Sequence, residues 1–178
     1  MVSVDSSNEL SQITENEKTG FLLWKVNNYW LRSFKKRFKD LDITHSQLLL
    51  LLSIFWSKTN ELNLTQKELS YKSGIDAMTT STALRTLQKK GLIIRNINNK
   101  DTRTHLIEIT EKGKTIVEKA NDIIKNFNNS FFSCLKDQQK QFQENLINLL
   151  LSDENSKQHL LKYYQKELEK FNITVENK

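Results

Sequence analysis

The chain has 178 residues, of which 37% are hydrophobic and 27% charged, so it suits one folded domain and excludes a disordered polymer. Lysine and arginine outnumber aspartate and glutamate by 27 to 21, and the net charge of +6 favours an anionic partner. The longest apolar run, Leu48–Leu52, is too short for a membrane span, and the polar N-terminus resembles no targeting peptide. A single cysteine excludes an internal disulfide. We therefore expect a cytoplasmic protein with no membrane partner.

The first third of the chain predicts two helices after a flexible arm over residues 1–17. Apolar side chains recur every three or four residues over 18–39, which predicts an amphipathic helix whose second half is basic. Thr44 and Gln47 have the spacing of a capping box, so a second helix is expected to begin there. Its leucine-rich sequence is apolar on nearly every face and indicates a central place in the core.

The middle of the chain predicts two short helices followed by a hairpin. A helix over 65–74 and another over 76–91 both begin at a capping residue and end at a glycine. The β-branched segment 92–97 and the alternating segment 103–109 flank a polar turn, which is typical of an antiparallel hairpin. Helix, helix, glycine turn, helix and hairpin is the order of a winged helix-turn-helix.

The last third of the chain predicts three more amphipathic helices, over about 111–131, 137–151 and 154–171. The fold class is therefore mainly α with a small β-hairpin wing. The apolar stripes of these helices and of the first one exceed what the small winged-helix unit can cover, so a second copy of the chain is expected to cover them.

Positive charge is concentrated in the predicted winged helix-turn-helix. Residues 65–114 contain ten lysines and arginines and five acidic residues, a net +5 of the whole chain's +6. The helix over 76–91 opens with a run of hydroxyl side chains, which are poor helix formers but can bind phosphates or base edges. The pattern favours DNA binding over the alternative of a capped surface helix.

Several motifs in this region resemble the MarR family of bacterial transcriptional regulators, and the likeness covers about Phe21 to Leu151. The segments that carry it are Leu64–Ser70, Gly74–Asp76, Leu84–Ile93, Asp101–Arg103 and Ile109–Gly113. The resemblance implies a winged-helix domain on a helical dimerisation domain built from both chain ends. It also implies a homodimer that binds a pseudo-palindromic operator and responds to a small ligand.

The resemblance divides the chain into functional parts. Residues 18–43 and 111–171 would form the dimerisation domain, and 44–110 the DNA-binding domain, with the helix-turn-helix at about 64–87 and the wing at about 92–109. Residues 172–178 would be a tail. The chain after Leu151 extends beyond the family's usual end, and two interpretations stay open: an additional dimer helix or a solvated tail.

The candidate DNA-binding residues lie on the two helices of the helix-turn-helix and on the wing. They are Thr65, Gln66, Lys67, Met78, Thr79, Thr80, Ser81, Thr82, Arg85, Asn98, Lys100, Asp101 and Arg103. Arg103 is expected in the minor groove, and Asp101 is expected to orient the wing by pairing with an arginine. The family often has an arginine or another strong base reader near the position of Thr82, so direct readout here is expected either to be weaker or to shift to Arg85.

Other candidate sites were weighed against plain structural roles. In the family, a crevice between the two domains takes aromatic or phenolic ligands; core packing is the alternative for its candidates here, Trp24, Tyr29, Trp30, His45, Phe55 and Trp56. The three histidines lack the spacing of a metal site, so no metal is expected. Cys134 is expected to be a buried, inert thiol.

The sequence thus predicts a sequence-specific DNA-binding regulator, more often a repressor, acting as a homodimer on a pseudo-palindromic operator under the control of a small ligand. Two alternatives stay open: a DNA-binding regulator without an effector, and a helical adaptor whose basic face binds an acidic protein. The sequence offers no nucleophile–base pair, paired catalytic carboxylates or phosphate-binding glycine loop, so we expect no enzymatic activity and no cofactor.

Overall fold

A computed structural model of the chain describes residues 14–57, 64–97 and 102–169. Within these ranges the chain forms seven α-helices, one antiparallel hairpin and two short 3-10 segments, at Lys39–Leu41 and Ser133–Gln138. The helices and strands are α1 Glu15–Arg37, α2 His45–Ser57, α3 Gln66–Ser73, α4 Ala77–Lys89, β1 Ile93–Ile97, β2 His105–Ile109, α5 Glu111–Phe132, α6 Gln139–Leu151 and α7 Glu154–Glu169. The predicted fold class is confirmed. No helix in the described ranges combines the length and apolarity that a bilayer crossing requires.

Local capping residues set most of the helix boundaries. The Thr65 hydroxyl accepts a hydrogen bond from the Glu68 amide while the Glu68 carboxylate accepts one from the Thr65 amide, which confirms the predicted capping box. Gly74 ends α3 in the left-handed region, with φ of +67°, where glycine avoids the steric cost of a side chain. The expected arm over 1–17 is wrong at its end, because Thr14 and Glu17 form another capping box and start α1 at Glu15.

Helix α2 is the centre of the hydrophobic core, as the sequence predicts. Leu50, Leu51 and Ile54 are fully buried, and α2 packs against α1, α3, α4, α5 and β2. Its last turn departs from the prediction of an apolar helix buried on nearly every face, because Trp56 is 54% exposed.

The hairpin is joined to the helices at its base. Ile93 pairs with Ile109 and Arg95 with Ile107 in an antiparallel register. The Ile107 amide donates a hydrogen bond to the Leu64 carbonyl at 2.9 Å, which ties β2 to the segment just before α3. The wing is therefore fixed relative to the helix-turn-helix at its base, while its tip over 98–101 lies outside the described residues.

The C-terminal helices differ from the prediction in two ways. Cys134 lies in the 3-10 segment between α5 and α6 and is exposed, so the expected buried thiol is wrong. Helix α7 packs on α3 of the same chain, which neither interpretation of the segment after Leu151 anticipated. The predicted tail over 172–178 lies outside the described residues.

Candidate nucleic-acid interface

The turn between α3 and α4 is held from both sides through one carbonyl group. The Ser70 hydroxyl of α3 donates to the Ile75 oxygen at 2.7 Å, and the Thr80 hydroxyl of α4 donates to the same atom at 3.2 Å. The Asp76 carboxylate caps α4 by accepting from the Thr79 amide at 2.8 Å, and this hydrogen bonding lowers the pKa of Asp76 below its ordinary value. The two helices are thus held in a fixed relative orientation.

One face of α4 is exposed and free of the core. Met78 is 81% exposed, and Thr79, Thr82 and Arg85 are also exposed. Positions 78, 82 and 85 are spaced by four and three residues, so they lie on the same side of the helix. This face combines one flexible apolar side chain, two hydroxyls and one guanidinium, which are groups that can contact base edges in a major groove.

Thr80 does not belong to this face. Its side chain is fully buried and its hydroxyl is bonded to the Ile75 carbonyl, so the prediction that Thr80 presents a hydroxyl to DNA is wrong. The reason is helical phase, because Thr80 lies on the same side as the fully buried Leu84 and Leu87. Ser81 is half-buried.

The three candidates at the start of α3 have different environments. The Thr65 hydroxyl is committed to the capping box with Glu68, and the Gln66 side-chain oxygen accepts from Arg95 Nη2 at 3.0 Å. Lys67 is the exposed cation of this group. A phosphate at this helix end would therefore meet the Lys67 ammonium group.

Arg95 is a residue that the sequence reasoning missed. It lies on β1, and its bond to Gln66 joins the wing to the first helix of the helix-turn-helix. The only hint of this role in the sequence is that Arg95 is the single cation within the apolar segment 92–97.

The structure describes both strands of the wing, up to Ile97 and again from Thr102. Arg103 is exposed and lies two residues before β2, and its contact with DNA stays a prediction. Asn98, Lys100 and Asp101 lie outside the described residues, so the predicted pairing of Asp101 with an arginine stays a prediction.

The structure brings only some of the predicted crevice residues together, because Tyr29, Trp30 and His45 belong to one aromatic cluster that continues through Phe127 and Phe131. Trp30 contacts His45 with ring centroids 5.2 Å apart, but Phe55 and Trp56 pair with each other, 5.4 Å apart. Trp24 contacts Phe21 and Tyr29 contacts Phe131. Of the six candidates, His45 alone lines either of the two cavities described below.

A cavity of about 730 Å³ lies between the second half of α1, the turn over 38–44 and the start of α2. Phe34, Phe38 and His45 provide its aromatic surface. Its cationic lining consists of Arg32, Lys35, Lys36, Lys39 and Lys90, with Asp42 as the acidic residue. Burial lowers the pKa of His45, which packs edge-on against Phe34 at 4.8 Å. Phe34 and Phe38 are almost fully buried, so the accessible lining is mainly cationic and favours an anionic molecule.

A second cavity, of about 850 Å³, lies between α3, the start of α4 and α7.

Within the described ranges no three His, Cys, Asp or Glu side chains come together as a metal site would require.

Comparisons with known proteins agree with this geometry. The family model of the transcriptional regulators SarA/Rot matches residues 32–120. The uncharacterized HTH-type transcriptional regulator YdcH of Bacillus subtilis is 36% identical over 119 residues, which are 67% of this chain and 81% of the relative.

Two solved structures of protein–DNA complexes share the fold. S. aureus MepR bound to DNA has a TM-score of 0.70 at 24% identity, covering 80% of this chain and 100% of that chain. A mutant of E. coli MarR bound to operator DNA has a TM-score of 0.65 at 25% identity, covering 74% of this chain and 92% of that chain. With the helix-turn-helix, its exposed α4 face and the hairpin in place, the chain belongs to the MarR-like winged helix-turn-helix family of transcriptional regulators.

Proposed function

We propose that this DNA-binding transcriptional regulator is a sequence-specific repressor that acts as a homodimer on a pseudo-palindromic operator and is modulated by a small anionic aromatic ligand. The exposed face of α4 carries the proposal. It presents Met78, Thr79, Thr82 and Arg85 on a helix whose buried side is fixed to the core.

In the proposed complex, α4 lies in the major groove and α3 crosses the DNA backbone. Arg85 donates to a guanine, because a guanidinium can bond the O6 and N7 acceptors together. The Met78 side chain contacts a thymine methyl group, and Lys67 contacts a phosphate. Arg103 enters the neighbouring minor groove, whose negative potential attracts arginine where the groove is narrow.

Apolar surface at the chain ends supports the homodimer. Leu22, Leu23 and Trp24 on α1 are more than half exposed, as is Leu149 on α6. A two-fold partner would bury these side chains and pair the two α4 helices about 34 Å apart, one turn of DNA. Parts of 18–43 and 111–171 would then form the dimerisation domain.

The cationic cavity supports modulation by a ligand. A carboxylate on an aromatic ring would bind the ammonium groups of Lys35 and Lys36 while the ring lies beside the half-buried His45. Lys90, one residue past α4, lines the same cavity. A ligand that binds one arrangement of this turn better than another would shift the population of DNA-competent dimers.

The experiment begins by selecting genomic fragments with the purified protein, then measures affinity for a recovered site and for a mismatched site. Arg85→Ala is expected to reduce the ratio of the two affinities, whereas Lys67→Gln lowers both alike, because base contacts discriminate and phosphate contacts only position the protein. Lys140→Gln, exposed on α6, is the matched control. If Arg85→Ala leaves the ratio unchanged, α4 does not read the operator.

The same material separates the alternatives. Light scattering is expected to give twice the chain mass of 20.9 kDa. A regulator without an effector would keep its affinity across a panel of aromatic carboxylates. An adaptor for an acidic protein would show no preference for any recovered fragment.

A further inference from the structure

Helix α7 is attached to the end of α3 by specific polar contacts. His159 Nε2 lies 3.1 Å from the Lys72 carbonyl oxygen, and the Tyr164 hydroxyl lies 3.5 Å from the same atom. Because a carbonyl only accepts, both groups donate to it. Lys72 is in the last turn of α3, where carbonyls lack partners within the helix, so α7 supplies donors that the end of α3 requires.

Aromatic contacts extend this attachment along α7. The Tyr71 ring lies 5.2 Å from His159 and 5.7 Å from Tyr163 between centroids. Leu168, further along α7, is only 4% exposed. The helix is therefore docked on the DNA-binding domain rather than projecting from it.

The docked helix forms one wall of the 850 Å³ cavity. The lining residues are Thr65, Gln66, Lys67, Glu68, Ser70, Tyr71, Ala77, Lys162 and Tyr163. Lys67 and the start of α4 thus face the same space as Lys162 and Tyr163 of α7. Lys67 and the start of α4 belong to the surface that is proposed to contact DNA.

The α4 face remains open while α7 is docked. Met78 is 81% exposed, and Thr79, Thr82 and Arg85 are exposed in this same arrangement. Helix α7 therefore flanks the reading surface without covering it. This exposure favours an added contact to DNA over an autoinhibitory one.

Lys162 is positioned as a cation beside α3. Its Nζ lies 5.4 Å from the Tyr71 ring centroid and 5.1 Å from that of Tyr163, so two rings restrict where the ammonium group can go. Hydrogen bonding to Tyr163 raises the pKa of Lys162 above its ordinary value. The side chain is exposed and fully charged at neutral pH.

We propose that α7 is an accessory DNA-binding helix in which Lys162 contacts a backbone phosphate of the strand that crosses the start of α3. The proposal rests on the proposed docking of α4 in the major groove. In helix-turn-helix complexes the first helix crosses the backbone, so that strand would pass beside the cavity between Lys67 and Lys162. The added contact is to phosphate and carries no sequence information.

The test compares Lys162→Gln with Lys140→Gln, an equal charge change on the neighbouring helix α6. Fluorescence anisotropy with the selected operator is measured across a salt series for the full-length variants. Lys162→Gln is expected to reduce the magnitude of the log K against log salt slope by about 0.9 per protomer. If the affinities of the variant and the unmodified chain are equal when extrapolated to ~1 M salt, this slope difference makes the variant's affinity about 8-fold lower at ~0.1 M for each lost contact.

Four further results decide between phosphate contact and other roles. The loss should be equal on matched and mismatched sites, and Lys162→Arg should restore the slope. A slope for Lys162→Gln equal to that of Lys140→Gln would overturn the accessory role, as would tighter binding by Lys162→Gln. Failure of the proposed function looks different, because Arg85→Ala would then leave the ratio of matched to mismatched affinity unchanged in the same assay.

Discussion

Replacing glycine by alanine is expected to destabilise the protein at Gly113 and to stabilise it at Gly20. Both residues lie in α-helices, where replacing glycine by alanine ordinarily stabilises by about 0.5–1 kcal/mol. At Gly20 an added Cβ meets nothing within 4 Å. At Gly113 it would fall on the Leu92 carbonyl oxygen and lie 2.7 Å from Ile109 Cγ1. The surroundings, rather than the helix, should decide the outcome.

The magnitude at Gly113 follows from what holds the obstructing oxygen. The Leu92 carbonyl accepts from the Thr110 amide at 3.1 Å, so moving it weakens a hydrogen bond worth about 1 kcal/mol. Overpacking costs about 1–3 kcal/mol in addition. Subtracting the helix gain of about 0.5–1 kcal/mol leaves Gly113→Ala less stable by about 2 kcal/mol. Gly20→Ala should be more stable by about 0.5–1 kcal/mol.

Urea denaturation at one fixed protein concentration measures both values, because stability of a dimer depends on concentration. In thermal unfolding, the midpoint of Gly113→Ala should fall by roughly 4–8 °C and that of Gly20→Ala should rise by roughly 1–4 °C. If Gly113→Ala proved as stable as the unmodified chain, the close approach of α5 to Leu92 would be refuted as the reason for glycine.

Three other predictions concern side chains around the interface and the cavity. Thr80→Val should lower the free energy of unfolding by about 1 kcal/mol, because the Ile75 carbonyl loses a hydrogen-bond donor. The DNA affinity measured by anisotropy should stay unchanged. Weakened DNA binding at unchanged stability would contradict the buried role of Thr80. Met78→Ala should lower discrimination between a thymine and a cytosine at one operator position without changing the thermal midpoint; equal discrimination would exclude a base contact. Burial lowers the pKa of His45, so the neutral ring's contribution to the free energy of unfolding should be complete above about pH 6.5 and should decline as the pH falls below that value. Urea titrations at several pH values should show that His45→Gln loses less stability on acidification than the unmodified chain.

Features encoded within a few residues could be predicted from the sequence. Thr65 with Glu68, Asp76 and Gly74 set boundaries through their own backbone geometry, and the structure confirms each. The start of α1 was missed because the polar residues after Thr14 show no apolar periodicity, although the capping box was present in the sequence.

Helical phase explains two errors at the sites. Thr80 precedes Leu84 and Leu87 by four and seven residues, so the periodicity already placed it with the core. Trp24 and Trp30 are six residues apart on α1 and lie on different sides of the helix, so they contact different rings. Both errors grouped residues by their closeness in sequence instead of by their side of the helix.

The docking of α7 could not be predicted from any local pattern. His159 meets the Lys72 carbonyl 87 residues earlier in the chain, and the histidine has no distinctive neighbours in sequence. Such a contact depends on where α5 and α6 carry the chain. Long-range placement of this kind requires the three-dimensional structure.

Lys90 lies just past one end of α4, and Met78, which is proposed to read DNA, lies at the other end. Its ammonium group contacts both the carbonyl and the carboxylate of Asp42, the latter at 3.0 Å, and so joins the residue after α4 to the turn before α2. Met78 lies about 18 Å from Lys90 along the helix axis, so a rotation of about 10° at Lys90 would carry Met78 through roughly 3 Å. That displacement is about the rise of one base pair along DNA. A rotation of this size would shift the side chains proposed to read DNA by about one base-pair step, and it would require the buried residues Leu84 and Leu87 of α4 to move with the helix.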